Sequence, residues 1–432
     1  MLILKKVLII SYFFPPCNLT ASQRAYNWGK HFKELGYDPI IITRKWDYPI
    51  NTPSDMGKSS KSMEIVKEVN DLFKVYYMPY KGSLKDRFFE KNKKGKRLIR
   101  KALSFKELYF QNLSISALPY ANIFKKAIQL IKEENISNVI ITGNPFPCFH
   151  FGYELKKKFP SINWIADYRD DWTTSELVKR NNGLDSILFK MEQKSEKKWL
   201  SNAAFFTTVS DYYVKKIAKF TALQGFELIN GFGDELKDFR TIQLDKSRFE
   251  ITYNGSLYPS QKIEPILSVA KTLINKFIDQ IHIHLNFPGL GFDLAQAKRV
   301  ELALKGYEGH YTITDRIQRE EVIKIQQKSN ILLMIAHEGL KGIPSSKLYE
   351  YVGLKKPVLL YPNDNDIIEK TLQDCGLGII CEDEMDIENK LSKFIKEFIL
   401  SGKNSFFGDE KKIEKYQRKE QVKKLATLLD KL

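Results

Sequence analysis

The chain has 432 residues, 43% of them hydrophobic and 12% aromatic. That length and apolar content exclude a disordered polymer and a disulfide-stapled miniprotein, and they leave room for two or three domains with cores of their own. The net charge of +17, from 69 basic and 52 acidic side chains, points to an anionic partner such as a nucleotide, a phospholipid surface or a nucleic acid. Four cysteines, Cys17, Cys148, Cys375 and Cys381, show no C-x-x-C spacing, which fits a reducing cytosol.

The N-terminus, MLILKKVLIISYFFPP, is continuously apolar only at 7–10. That run is far short of the roughly 18–20 residues of a spanning helix, and it lacks the longer core and small-residue cleavage site of a signal peptide. It reads as a buried first strand, so the expected protein is soluble or peripheral to a membrane. Strand and helix signals alternate from there on, which makes the fold class α/β with parallel sheets. A strand at 7–11 leads into a Pro-containing loop at 12–20, an amphipathic helix at 21–35 ending on Gly36, and a second strand at 39–43. Loops after the strands of such a sheet line the ligand crevice. This places Pro15, Pro16, Asn18, Ser22 and Arg24 where substrate can bind, with Arg24 reading equally as a structural helix cation or an anion ligand.

From Lys81 to Lys106 there are eleven Lys/Arg against two acids, +9 in 26 residues, with Phe88, Phe89, Leu98, Ile99, Leu103 and Phe105 interleaved. Such an amphipathic basic stretch reads as a membrane-surface element, each cation contributing on the order of 1 kcal/mol near an anionic leaflet. A nucleic-acid groove and a solvated loop are the alternatives; zinc-finger, RNP and heptad-linked basic patterns are absent.

A strand at 139–142 opens into GNPFPCFH and a helix running through Lys158. A further strand at 163–167 ends in ADYRDDWTTSE, so Asp167, Arg169, Asp170 and Trp172 fall just past a strand's carboxyl end. They read as crevice residues, because three charges and a Trp on one loop tip are costly to bury without a ligand. An Asp–Arg pair locking the loop is the alternative. A strand at 204–209 ends at Ser210 and Asp211, a cap for the next helix. The sequence then reaches Gly231-Phe232-Gly233-Asp234, and the domain boundary is expected between about Asp234 and Lys246.

The second domain opens on a strand at 249–254 followed by GSLYPSQKIEP, where Gly255 gives a tight turn and Lys262 begins a helix. Strands are expected at 281–285 and 331–336, with a helix at 323–327 between them and His337 and Glu338 after the last. The stretch 342–358, GIPSSKLYEYVGLKKPV, reads as loop, short helix, turn and buried strand, opened by Pro344, Ser345 and Ser346 and closed by Gly353 and Pro357. Lys347, Glu350 and Tyr351 share one helix face. A lysine in a first turn is disfavoured by the macrodipole by about 0.3–1 kcal/mol, and an anion docked there reverses the penalty. A carboxylate one turn on then suits a sugar diol. The alternative is an exposed ion pair worth about 0.2–0.5 kcal/mol. Asp364-Asn365-Asp366 reads as a helix cap more than a metal site, and 403–432 is charged with apolar residues at helical spacing.

The pattern P-S-x-K-L-Y-E-Y-x-x-x-x-K-P-V, together with D-x-R-D-x-W, F-x-P-P and the Y-x-G-x-L-Y-like opening of the second domain, resembles the GT-B glycosyltransferases of family 4, in the bacterial surface-polysaccharide branch. The resemblance implies two Rossmann-like domains facing an interdomain cleft: an acceptor-side domain at 1–240 carrying the basic insertion at 81–106, a nucleotide-sugar domain at 246–404, and a C-terminal helix at 405–432 packing back on the first domain. It implies a retaining sugar transfer from a nucleotide-sugar to a glycan or lipid-linked acceptor in cell-surface polysaccharide synthesis, without an obligatory metal or other cofactor. By the same resemblance Lys347 contacts the donor diphosphate and Glu350 the nucleotide ribose, with Gly255, Lys262, Ser345 and Ser346 completing the donor site. Asp170 and Arg169 join Lys347 as catalytic candidates. Pro16, Asn18, Arg24, Asp167 and Trp172 line the acceptor side. A second Glu common in the family eight positions before the first is replaced here by Gly342. The expected location is cytoplasmic, peripheral on the inner face of the cell membrane, and nucleic acid is not an expected partner. A nucleotide-sugar epimerase of the same fold and a nucleic-acid-binding protein are the competing functions.

Overall fold

A computed structural model describes residues 4–50, 53–91, 97–176, 183–239, 243–404 and 408–432. The chain divides into two compact units, Met1–Ile229 with Gln421–Leu432, and Asn230–Glu420.

The first unit is built on an eight-stranded sheet. Its strands are β1 (Lys5–Ser11), β2 (Tyr37–Arg44), β3 (Val66–Val69), β4 (Lys74–Met78), β5 (Asn138–Thr142), β6 (Asn163–Tyr168), β7 (Phe205–Thr208) and β8 (Gly225–Glu227). They run in the order β3-β4-β2-β1-β5-β6-β7-β8, with only the edge pair β3–β4 antiparallel. The central strands are continuous apolar runs because helices cover both faces of a parallel sheet. Ile9 pairs with Ile41 on one side and Ile140 on the other, and all three are fully buried. The helix Arg418–Leu429 places Val422, Leu425, Ala426 and Leu429 in the same core as Val7, Ile9 and Phe32.

The second unit carries six parallel strands: β9 (Arg248–Thr252), β10 (His282–Phe287), β11 (Tyr311–Ile313), β12 (Ile331–Met334), β13 (Val358–Leu360) and β14 (Gly378–Ile380). Their order is β11-β10-β9-β12-β13-β14. In each sheet the winding reverses once, between β1 and β5 in the first and between β9 and β12 in the second. Ligands of doubly wound sheets bind in the crevice outside the carboxyl ends of the strands at such a point.

Two features escape the sequence reading. The strands β3 and β4 form a ribbon that short, mixed-polarity runs do not announce. The basic stretch also contains helix, at Leu84–Lys91 and within Arg97–Leu113. Residues 92–96, and the side chains of 89–98, 100 and 101, lie outside the described residues, so much of the membrane-surface expectation for 81–106 falls there. Beyond it, Tyr109, Phe110 and Leu113 are exposed. Among the described residues no helix is long and apolar enough to cross a membrane.

Candidate functional site

The stretch at 342–358 folds locally as its residues require. A helix occupies Ser346–Gly353, and the Ser345 hydroxyl caps it by accepting the Lys347 N–H. Leu348, Tyr349, Tyr351 and Val352 are buried and anchor the helix beside β12. That leaves Lys347 and Glu350 on the side that meets the loop after β9, across the reversal point of the sheet.

The β9 loop is shaped by Gly255, whose φ of +75° lies in the left-handed region. Its N–H donates to the Pro288 carbonyl at 2.8 Å, tying it to the loop after β10. The turn brings the Ser256 carbonyl to 2.8 Å from the Lys347 ammonium, which also sits 4.0 Å from the centroid of the Tyr253 ring. Lys347 keeps part of its surface in solvent, but its ammonium rests on a carbonyl and a ring face and not on a carboxylate. Burial there pushes its pKa down to about 7, against the opposing pull of Glu350. The first-turn lysine is therefore folded back onto the β9 loop, whereas the sequence places it at the helix mouth facing an anion.

Glu350 is also less exposed than expected, its side chain retaining 13% of its accessible surface. Its Oε1 accepts from Asn254 Nδ2 at 3.1 Å and Gln326 Nε2 at 2.7 Å, and its Oε2 lies 3.1 Å from Arg319 Nη2. Tyr351 reinforces the junction by accepting the Asn254 N–H. Asn254, Gln326 and Arg319 are not among the donor-site residues that the sequence reading expects. Asn254 had a signal, its place beside Gly255 in the β9 turn, whereas Gln326 and Arg319 lie on the helix Arg319–Lys328 with nothing local to mark them.

Ser345 is half-buried and occupied as the cap, and Ser346 is exposed at the helix start. Lys262 is exposed and ion-paired with Glu338 at 2.6 Å, so it does not join Lys347 on the β9 turn. His337, after β12, bonds Ser260 Oγ through Nδ1 at 2.9 Å, and burial with the Lys347 charge holds its pKa below the usual histidine range. The Asp364 carboxylate takes the N–H groups of Ile368 and Glu369, which makes it a helix cap.

The first unit presents its own set at the β1/β5 reversal. Arg169 donates from Nε to the Gly143 carbonyl at 2.9 Å and from Nη2 to the Asn144 carbonyl at 3.3 Å, with its guanidinium 5.2 Å from the Phe13 ring centroid. It thus joins the loops after β1 and β5, and Asp170 beside it is exposed. The remaining candidates are engaged internally. Asp167, expected on the crevice wall, is fully buried, accepting from Arg24 Nε and Nη2 and from Thr207 Oγ1 at 2.7 Å. Arg24 is correspondingly a buried structural cation that also bonds the Ile229 carbonyl. Trp172, expected on the acceptor side, stacks between Phe146 at 5.1 Å and Trp199 at 5.7 Å and is 9% exposed. Asn18 exchanges two bonds with the backbone of Ile50, and Pro16 is exposed. Glu196 is fully buried under this loop, accepting from Tyr168 and Thr173, and burial raises its pKa to about 7.

No protein-family model matches the chain, and no curated protein matches it. Solved structures do. The sucrose-phosphate synthase of Thermosynechococcus elongatus aligns with a TM-score of 0.62 at 14% identity, covering 99% of this chain and 98% of that one. A trehalose-6-phosphate synthase aligns with a TM-score of 0.65 at 11% identity over 99% of each chain. The UDP-forming α,α-trehalose-phosphate synthase of Burkholderia xenovorans, in complex with glucose-6-phosphate, aligns with a TM-score of 0.62 at 9% identity over 99% of this chain and 100% of that one. At these identities the likeness shows the fold: this chain has the GT-B fold of those structures, an α/β architecture of two Rossmann-like units.

Proposed function

We propose that the protein is a retaining glycosyltransferase of the family 4 type, moving a sugar from a nucleotide-sugar to a glycan or lipid-linked acceptor in cell-surface polysaccharide synthesis. One observation carries the reading: Lys347 and Glu350, one turn apart on the helix Ser346–Gly353, meet the Gly255 turn at the point where the second sheet reverses. A compact cation beside backbone N–H groups suits a diphosphate, and a fixed carboxylate one turn deeper suits the ribose hydroxyls. The fold likeness supports it, since one of the similar structures is a UDP-forming synthase.

In this reading the donor diphosphate draws Lys347 off the Ser256 carbonyl. The oxygen that leaves the anomeric carbon gains charge as the glycosidic bond breaks, and Lys347 with the helix-start N–H groups meets that charge, so no metal is assigned a role. Lys262 reaches the diphosphate only by leaving Glu338. Asp170 and Arg169 act on the acceptor side, with Asp170 orienting the incoming hydroxyl. The basic stretch from Lys81 to Lys106 holds the enzyme on an anionic membrane surface, where a lipid-linked acceptor resides.

The test is a thermal-shift screen of UDP-, ADP- and GDP-sugars, because a ligand that binds only the folded state raises its melting temperature. One donor stabilises the wild type, Lys347→Ala and Glu350→Ala lose that stabilisation, and turnover of the donor yields a glycoside in place of an epimerised nucleotide-sugar. A variant of either residue that keeps full activity with its best donor refutes the donor site.

A further inference from the structure

The chain passes into the second unit after Ile229 and leaves it before Gln421. Within the second unit the two passages are fastened to each other. The Phe232 N–H donates to the Tyr416 carbonyl at 3.0 Å and the Arg418 N–H to the Phe232 carbonyl at 2.8 Å, a one-residue parallel bridge between Phe232 and Gln417. Arg418 adds an ion pair to Glu235 at 3.1 Å.

The helix that carries Lys347 and Glu350 touches both passages. At its end, Gly353 packs so closely on the first that an added Cβ would lie 2.6 Å from Phe232 Cγ and 2.7 Å from Leu236 Cδ1. The Tyr349 ring stacks on Tyr416 of the second, with centroids 6.1 Å apart. A polar connection runs in parallel. Arg319 Nη2 lies 3.1 Å from Glu350 Oε2 and 3.4 Å from Glu235 Oε1. The four charges Arg418, Glu235, Arg319 and Glu350 thus alternate in sign from the second passage to the site.

The acceptor positions of Glu350 decide what a ligand does to this chain of charges. Its Oε1 already accepts two bonds, from Asn254 and Gln326. A carboxylate oxygen has two lone pairs, so an incoming hydroxyl goes to Oε2, the oxygen that Arg319 holds.

We infer that Arg319 is a positioning residue that links occupancy of Glu350 by a nucleoside diphosphate to the fastening of the two chain passages. The inference rests on the donor-site reading above. A ribose hydroxyl donating to the second lone pair of Oε2 shares that oxygen with Arg319 and weakens its hold on the guanidinium, which moves toward Glu235, the longer of its two contacts. Arg418 holds the same oxygen, Glu235 Oε1, so the approaching guanidinium competes with Arg418 and loosens the Phe232–Gln417 fastening.

The test is amide hydrogen exchange of segments 230–236 and 416–420 with and without saturating UDP, ADP or GDP, with binding measured in parallel by calorimetry. A nucleotide that binds speeds exchange in both segments several-fold in the wild type. It still binds Glu235→Gln, whose side chain is 42% exposed and makes no contact with Glu350 or Lys347 among the described interactions, but no longer speeds exchange there. Arg319→Gln binds it more weakly and also shows no faster exchange. Binding to the wild type with unchanged or slower exchange, or faster exchange that persists in both variants, overturns this inference and leaves the donor site standing. If none of the three nucleotides binds, the donor site and the inference fall together.

Discussion

Affinity for the donor will fall as pH rises through the neutral range, and Lys347 is the reason. In the free protein its ammonium rests on the Tyr253 ring and the Ser256 carbonyl, and burial brings its pKa down to about 7. A diphosphate placed against it stabilises the charged form and returns the pKa toward or above the ordinary lysine value. The complex therefore binds more protons than the free protein at any pH between the two values, and linkage requires affinity to drop as pH rises across that window. Above the free value each further pH unit strips the ammonium of its proton about tenfold, so affinity weakens by roughly an order of magnitude between pH 7 and 8.5. Burial and the Lys347 charge hold the neighbouring His337 below its usual range, which moves its titration away from the alkaline part of the window. The assay is calorimetry with UDP-glucose and ADP-glucose from pH 6.5 to 8.5, in buffers of different ionisation enthalpy, so that proton uptake is read directly. A nucleotide-sugar is the right probe because its diphosphate has no proton to lose in this range. Lys347→Arg keeps its charge at every pH and flattens the profile. A flat profile with no proton uptake in the wild type, or an unchanged slope in Lys347→Arg, refutes the argument.

Four further outcomes follow from the packing and charges described. Asp167→Ala leaves the Arg24 guanidinium buried without its carboxylate and lowers stability by about 3–5 kcal/mol in urea unfolding, whereas Arg24→Met with Asp167→Leu recovers much of the loss; a single-variant loss under about 1 kcal/mol contradicts the structural role. Gly353→Ala forces Phe232 and Leu236 apart and costs about 1–3 kcal/mol, measured as a lower urea midpoint at unchanged slope. Asp170→Asn alters an exposed loop residue, so it shifts stability by no more than about 0.5 kcal/mol while lowering turnover at least tenfold; full turnover removes Asp170 from the chemistry. Replacing the cations between Lys81 and Lys106 by glutamine releases the protein from anionic liposomes in a sedimentation assay without changing donor hydrolysis, and high salt does the same to the wild type. Sedimentation that ignores both removes the membrane assignment.

The sequence by itself determined the strands and the helix at the candidate site. A parallel sheet covered on both faces requires continuous apolar runs, so 7–10, 39–43 and 139–142 announced themselves. Ser345, Gly353 and Pro357 punctuate a helix through local backbone chemistry alone. Even the turn at Gly255 was legible, because a left-handed residue after a strand favours glycine. Tertiary structure decided who partners whom. Arg24 and Asp167 lie 143 residues apart, and nothing within a turn or two of either says that they neutralise each other and not a substrate. Trp172 became part of an aromatic stack for the same reason. The sequence places Lys347 as a cation at a helix mouth, yet the β9 loop, 91 residues away, supplies the carbonyl on which it rests. Arg319 and Gln326 met Glu350 only once their helix packed beside it. Local periodicity fixes which side chains face inward, whereas pairing of charges depends on distances between elements that fold far apart in the chain.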